Sequence, residues 1–350
     1  MRCRGGPRRA ILSAVPDLPR SQVRLPNGGK LSPVWIGLAT GGSLALVSIA
    51  FTQIFDWVEG TPLELRFWAE PRGWFDVVVC GLFGWTLGGG LALVRGARHD
   101  LEALRPALRV DAAPADIGAL SRRSLFGAAA AGLVLGIGIN FTPANWPDGF
   151  PGLRDGFFLW ATLRTILITW AMCTTGLIAA TIATRFSRLG PTLRIDDPLD
   201  LRPLAPLGRS ALRSVAVWVG ISAFLALMMI APFGRSIFVG GLVASAVVAV
   251  LAFVGPVRGA RRRLVELRDG ELAAVRTALR ARLDMTTAPD SRWSELSVAD
   301  LLAWEHRVEG LSTWPFDTTT IVRFGIYSAI GLGSWIGAAL VERALGAAFG

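Results

Sequence analysis

Apolar residues are concentrated in seven segments of this chain, each roughly twenty residues long or somewhat longer. A helix needs about 20 such residues to cross about 30 Å of hydrocarbon, at about 1.5 Å per residue. The sequence therefore predicts an all-α membrane protein with about seven transmembrane helices, at 34–55, 75–95, 124–142, 157–184, 211–231, 235–255 and 319–341.

The composition agrees with a membrane protein and argues against a soluble one. Of the 350 residues, 52% are hydrophobic and 18% are charged, whereas a soluble domain carries charge on about a quarter of its residues. The net charge is +10, and Lys30 is the only lysine. Because the charges alternate with the apolar segments, they indicate membrane orientation, and we expect no nucleic-acid partner.

The connections between the segments differ in charge on the two sides of the predicted membrane. Arginines are dense in 96–123, 185–213 and 258–268, whereas 56–73 and 143–156 carry more acidic residues. Basic loops face the cytoplasm, so we expect a bacterial cytoplasmic (inner) membrane protein with a cytoplasmic N-terminus and, after seven spans, an external C-terminus. The tryptophans near span ends are expected at the outer membrane interface: Trp57, Trp68, Trp74, Trp146 and Trp160.

A six-residue phrase occurs twice, as Pro-Ala-Leu-Arg-Val-Asp at 106–111 and as Pro-Thr-Leu-Arg-Ile-Asp at 191–196, 85 residues apart. Each copy follows a pair of apolar segments, and Leu-Arg-Asp at 267–269 is a weak third echo. We predict three tandem parallel hairpin repeats plus a last span, with each phrase at the cytoplasmic membrane surface. Two-span units repeat in the same orientation, unlike the inverted repeats of many transporters.

About sixty residues between the sixth and seventh segments are too polar to span a membrane. Helical periodicity predicts one helix from Arg258 to Leu283, with an apolar stripe at Leu272, Val275, Leu279 and Leu283. Ser297, Asp300 and Gly310 suit the ends of a second helix over 298–309. Its apolar face is expected at Val298, Leu301, Leu302 and Val308.

These helices are predicted to pack antiparallel as a cytosolic two-helix insert. We expect four regions in the chain. Residues 1–33 are predicted to be a disordered basic N-terminal tail, or an extension from a start codon assigned too far upstream. The other three regions are the six-span region of three hairpins (34–255), the cytosolic helical hairpin (256–313), and the last transmembrane helix with a short tail (314–350).

Two parts of the sequence resemble known proteins. Gly255-Pro256 followed by two amphipathic helices resembles the HAMP relay of bacterial receptors, although a HAMP passes to a soluble output domain and this chain re-enters the membrane. The C-terminal stretch, with Trp-Pro-Phe-Asp at 314–317 and Leu-Gly-Ser-Trp at 332–335, resembles the ending of uncharacterised bacterial polytopic membrane proteins. That resemblance implies no activity.

Arg164 is an ionisable residue inside the fourth segment, with no acidic neighbour in sequence. A charge in the bilayer is costly and invites a functional interpretation, such as an anion path lined by Arg164, Thr162, Thr165 and Thr169. The favoured alternative is that Arg164 extends outward to Asp148 or Asp155. The threonines would then bond to their own helix or join neighbouring helices.

No motif in the sequence indicates a catalytic residue, a metal site or a bound cofactor, and we expect no enzyme. Five arginines are predicted to contact anionic lipid headgroups: Arg109, Arg194, Arg261, Arg262 and Arg263. The favoured function is a non-enzymatic scaffold or regulator that uses the cytosolic insert. Its expected partners are the lipid bilayer, anionic lipids, and a protein partner or a second copy of the chain. The alternative is a transporter or channel with a path at Arg164 and the threonines.

Overall fold

The computed structural model describes residues 32–58, 71–108, 120–141, 156–195, 201–229, 235–284 and 296–311. It also describes Trp293, Trp314 and four residues between 322 and 329. Seven α-helices lie in these ranges: α1 (Pro33–Val58), α2 (Pro71–Leu104), α3 (Arg122–Asn140), α4 (Gly156–Leu189), α5 (Ala205–Met228), α6 (Arg235–Asp284) and α7 (Val298–Glu309).

Helices α1 to α6 match the first six predicted spans, and all six are long and apolar enough to cross a membrane. The all-helical membrane class predicted from the sequence is thus supported by the described residues. The predicted seventh span, 319–341, lies outside the described residues except for Val322, Gly325, Ile326 and Ala329.

Consecutive helices pack in pairs, α1 with α2, α3 with α4 and α5 with α6. Helix α2 also packs against α4 and α5, and α4 packs against α6. The main hydrophobic core accordingly draws its buried side chains from α2, α4, α5 and α6. Helices α1 and α3 lie at the periphery, where large apolar side chains such as Leu46 and Val134 are exposed, as in a lipid-facing surface.

Glycines allow the paired helices to approach backbone to backbone. A Cβ added to Gly84 would clash with the carbonyl oxygen of Gly37, and one added to Gly132 would clash with the Cα of Trp170. Close approach through small residues is the usual packing mode of membrane helices, because lipid competes equally well for larger apolar side chains.

Helices α2 and α4 each have 34 residues, and their first residues are 85 positions apart. Each ends in a three-residue 3-10 turn, Arg105–Ala107 and Gly190–Thr192. The leucines of the two repeated phrases, Leu108 and Leu193, then pair with each other in an antiparallel bridge. The Arg194 backbone N–H donates to the Ala107 carbonyl oxygen at 2.7 Å.

The bridge gives the described part of each phrase a role that was not predicted. Leu108 and Leu193 are both buried in the main core, so these residues join the ends of α2 and α4. The place of the phrase at the cytoplasmic membrane surface stays a prediction. Arg194 remains exposed beside Leu193.

The third pair of helices is arranged differently from the first two. In the first two pairs the second helix is the more buried one, whereas in the third pair α5 is central and α6 is largely exposed in its most apolar part. Helix α6 passes close to the end of α4, where a Cβ on Gly259 would clash with the Ser187 carbonyl oxygen.

Helix α6 has 50 residues and continues past Pro256 without interruption. Its C-terminal part packs against α7 through Val275, Ala278, Leu279, Trp293 and Leu301. Arg276 contacts Glu305 while Arg268, two turns earlier, contacts Glu309, so the two helices are antiparallel, as predicted. We call residues 257–309 the α6–α7 hairpin.

Candidate functional site

Arg164 lies in a buried polar cluster formed by three helices. Its guanidinium pairs with the carboxylate of Asp76 on α2 and donates to the Ser48 hydroxyl on α1 at 3.3 Å. Ser48 donates to Asp76 at 3.1 Å, and the indole N–H of Trp160 on α4 donates to Ser48 at 3.1 Å. We call Ser48, Asp76, Trp160 and Arg164 the buried polar cluster.

The helices bring these side chains together from distant parts of the sequence. Asp76 is five residues from the start of α2, and Arg164 is eight residues from the start of α4. Both therefore lie toward the end of the bundle opposite the repeated phrases. All four residues are less than a tenth exposed, and a buried pair of opposite charges costs far less than either charge alone.

The ion pair with Asp76 was in neither of the two interpretations offered for Arg164, and both stay untested. Asp148 and Asp155, to which its side chain was expected to extend, lie outside the described residues. Arg164 instead has an acidic partner, Asp76, 88 residues away in sequence. Asp76 could not be recognised as the partner from the sequence, because it is the second residue of the predicted span 75–95, where an acidic residue is expected at the membrane boundary. Trp160, expected at the membrane interface, is buried in the cluster.

The threonines that accompany Arg164 in sequence contact mostly backbone. The Thr165 hydroxyl donates to the Ala161 carbonyl of its own helix at 2.8 Å. The Thr169 hydroxyl lies 2.6 Å from the Gly132 carbonyl on α3 and 2.8 Å from the Thr165 carbonyl. Thr162 has a buried hydroxyl with no hydrogen-bond partner among the described residues. The Thr165 hydroxyl is thus bonded within α4, and the Thr169 hydroxyl also joins α4 to α3.

A second buried carboxylate lies near the opposite end of the bundle. Asp100 of α2 is fully buried and accepts from Arg213 at 2.8 Å and from Arg209 at 3.3 Å, both on α5. Asp100 thereby links the first helix pair to the third. We call this end of the bundle, with residues 95–108, 185–195, 201–213 and 258–268, the basic end.

The arginines predicted to contact headgroups lie at the basic end where they are described. Arg194, Arg261 and Arg262 are exposed, and Arg263 is half-buried. Arg261 lies over the Trp314 ring, 4.5 Å from its centroid, and Arg263 is 3.5 Å from Glu266. Arg109 lies outside the described residues.

Charged contacts complete the packing of the α6–α7 hairpin. Arg276 donates to Glu305 at 2.6 Å and to Glu309 at 2.7 Å, and its hydrogen bond to Glu305 raises the pKa of the guanidinium. Ser297 and Asp300 form a capping box at the start of α7. The hydrogen bonds from Ser297 lower the pKa of the Asp300 carboxyl.

Three of the apolar residues predicted to face inward in this hairpin are instead solvent-exposed. Leu283 is 70% exposed, Leu302 is 53% exposed and Val298 is 39% exposed. The α6–α7 contact is narrow and uses Leu301 and Val308 of α7, which are fully buried. Apolar residues of both stripes, on α6 and on α7, therefore lie on the outer surface of the hairpin.

In the described part of the chain, no group of three or more His, Cys, Asp or Glu side chains is placed to hold a metal ion. His99 and His306 are exposed, and Cys80 and Cys173 are free thiols within spanning helices. Comparison of the chain with protein-family models, curated proteins and solved structures gave no match.

Proposed function

We propose that this chain is a non-enzymatic scaffold or regulator of a bacterial inner membrane, which binds a protein partner through the α6–α7 hairpin. The observation that carries the proposal is the single helix α6, which runs from the apolar bundle directly into the hairpin. Ala260 and Leu264 of α6 are still buried in the main core, and residues 265–284 extend about 30 Å beyond them at about 1.5 Å per residue, so α6 fixes the position of α7 relative to the bundle.

The proposed orientation places the hairpin and the basic end in the cytoplasm. The arginines of the basic end support it, since basic segments remain on the cytoplasmic side. Exposed arginines there, such as Arg194 and Arg262, would each gain about 1 kcal/mol near an anionic leaflet. Anionic lipid is therefore the second proposed partner.

We also propose that the first two helix pairs are copies of one hairpin in the same orientation. The equal lengths of α2 and α4, their offset of 85 residues and the pairing of Leu108 with Leu193 support this. The third pair retains only a weak echo of the phrase, and its buried helix is the first one. We propose the third pair as a diverged third repeat.

Transport along a path at Arg164 is the alternative hypothesis. Such a path needs free polar groups facing water. The Arg164 guanidinium is paired with Asp76, and the Thr165 and Thr169 hydroxyls are bonded to carbonyl groups, which favours the scaffold. The Thr162 hydroxyl, buried with no hydrogen-bond partner among the described residues, is the observation that favours a path.

The proposal is tested by photo-crosslinking in cells with the full chain. A photoreactive residue replaces Leu302, and the matched control places it at Thr277, which is exposed on the polar surface of α6. We expect one defined protein adduct from position 302 that position 277 does not give. Identical adducts at both positions, or none at either, would contradict a partner site on this hairpin.

The lipid part is tested by purification in mild detergent and identification of the retained lipids. We expect anionic lipids to be enriched over zwitterionic ones and to decline when Arg261, Arg262 and Arg263 are all changed to Gln. A lipid profile that the triple variant leaves unchanged would count against headgroup binding at this cluster.

A further inference from the structure

We propose that the buried pair of Asp76 and Arg164, together with Ser48, fixes how the first helix pair, α1–α2, sits against the second, α3–α4. The cluster joins α1, α2 and α4 through hydrogen bonds and an ion pair. It therefore specifies the relative height and rotation of these helices, a role that goes beyond the proposed binding function.

The apolar contacts between α2 and α4 cannot specify this arrangement equally well. Side chains such as Val79 and Ile168 are buried, but apolar contacts are non-directional, so they specify a register less sharply than an ion pair does. A shift of one helical turn, about 5.4 Å, would separate Asp76 from Arg164. Each charge would then be unpaired in a medium that does not solvate it.

Directional contacts farther along the same interface are compatible with only one register as well. The Thr175 hydroxyl donates to the Thr86 carbonyl at 3.0 Å, and the Leu108–Leu193 bridge joins the ends of both helices. The bridge lies toward the basic end, whereas the buried polar cluster lies toward the opposite end. If loss of the Asp76–Arg164 pair shifts the register of α2 against α4, Leu108 and Leu193 separate. The shift can therefore be measured at the bridge, far from the substitution.

The bridge supplies a reporter for the full chain. Cys3, Cys80 and Cys173 are first replaced by Ala, and Leu108→Cys with Leu193→Cys are then introduced. Arg194 donates to Ala107 on one side of this pair, a pattern that places the two Cα atoms about 4.5 Å apart. That separation is within the range of a disulfide, so oxidation should crosslink the reference protein within the chain.

Charge reversal tests the pair directly. We expect Asp76→Arg and Arg164→Asp each to reduce the disulfide crosslink between positions 108 and 193 several-fold. The double variant with Asp76→Arg and Arg164→Asp should restore the crosslink to near the reference level, because the ion pair is re-formed with its two charges exchanged. Glu102→Arg, at an exposed position of α2, is the matched control and should leave the crosslink unchanged.

Membrane accumulation is the second measurement, in case a reversed variant fails to fold. Under the proposal, the double exchange accumulates better than either single reversal. The proposal is overturned if the double exchange is as poor as the single variants in both measurements. It is equally overturned if Asp76→Asn matches the reference protein in crosslinking and in thermal stability.

Discussion

Single residues determine how these helices pack: hydroxyl groups form hydrogen bonds within and between them, and glycines allow close approach. Thr86 donates to the Leu82 carbonyl of its own helix at 2.6 Å, and the hydroxyl groups of Ser222 and Ser245 lie 2.7 Å apart between α5 and α6. In hydrocarbon an unbonded polar group is expensive, so such groups bond to nearby carbonyls and hydroxyls. Glycine provides the close approaches between helices.

Gly259 and Gly270 form a matched pair of glycines on α6. Gly259 is pressed against the Ser187 carbonyl, whereas nothing lies within 4 Å of a Cβ on Gly270. Gly259→Ala should therefore destabilise the fold by about 1–3 kcal/mol, as overpacking does. Gly270→Ala should stabilise α6 by about 1 kcal/mol, the difference in helix propensity.

Thermal unfolding in one detergent compares these variants with the unmodified protein. The melting temperature should fall for Gly259→Ala and hold or rise for Gly270→Ala. Equal shifts for both variants would show that the contact between α4 and α6 does not limit stability.

The stability of α7 should depend on acid pH through Asp300. The Ser297 hydroxyl and backbone hold the pKa of this carboxyl below its ordinary value. The stabilisation is thus present above the ordinary pKa, about 3.9, and is lost as the pH falls through the lower folded value. Amide hydrogen exchange in α7, referenced to an unstructured peptide at each pH, should show protection falling below about pH 4.

Two substitutions identify the group responsible for this effect. Asp300→Asn removes the titrating carboxyl, and Ser297→Ala removes the hydroxyl that shifts its pKa. Both should flatten the acid dependence of protection in α7. If Asp300→Asn still shows the full loss of α7 protection at acid pH, another group is responsible for that loss.

At the scale of elements, the sequence predicts helices well where local signals exist. The predicted range of α7 agrees with the structure at both ends because the capping box of Ser297 and Asp300 and the following Gly310 mark its limits. The ranges of α2 and α4 are underestimated at their C-terminal ends. The parts of α2 after residue 95 and of α4 after residue 184 carry charged residues such as Arg98 and Arg188, and a count of apolar residues stops before them.

Contacts between elements were less predictable than the elements themselves. Asp76 and Arg164 are 88 positions apart, and Asp100 is 109 and 113 positions from its arginines. No local pattern connects such residues, since the pairing depends on which helices become neighbours. The repeated phrase is visible in the sequence, but its role in joining α2 to α4 depends on how those two helices pack.

The packing of α7 on α6 offers a second matched comparison. Leu301 is fully buried, whereas the next residue, Leu302, is 53% exposed. Leu301→Ala should destabilise the α6–α7 hairpin by about 2–5 kcal/mol, the usual range for a buried leucine. Leu302→Ala should leave the stability of the hairpin nearly unchanged.

Limited proteolysis of the protein in detergent measures this difference. Leu301→Ala should expose cleavage sites in α7 at protease concentrations that leave the bundle intact. Equal resistance of both variants would mean that the contact seen at Leu301 is not what holds α7 in place.

At the scale of the whole molecule, the two ends of the bundle differ in charge and in the contacts that hold them. The basic end contains Asp100 with two arginines and the bridge of the repeated phrases, and it continues into the α6–α7 hairpin. The opposite end contains the buried polar cluster. Since α6 is one helix, the side of the membrane that the basic end faces also determines where the hairpin lies.

Cysteine labelling tests the proposed orientation of the whole chain. In a background without native cysteines, His306→Cys places a thiol on the exposed surface of α7, and Asn145→Cys places one in the predicted outer loop 143–156. In intact cells with a permeable outer membrane, a membrane-impermeant maleimide should label position 145 only. Position 306 should react once the inner membrane is opened, because the proposed orientation places the basic end in the cytoplasm. The reverse pattern would place the hairpin outside and remove the basis for a cytoplasmic partner.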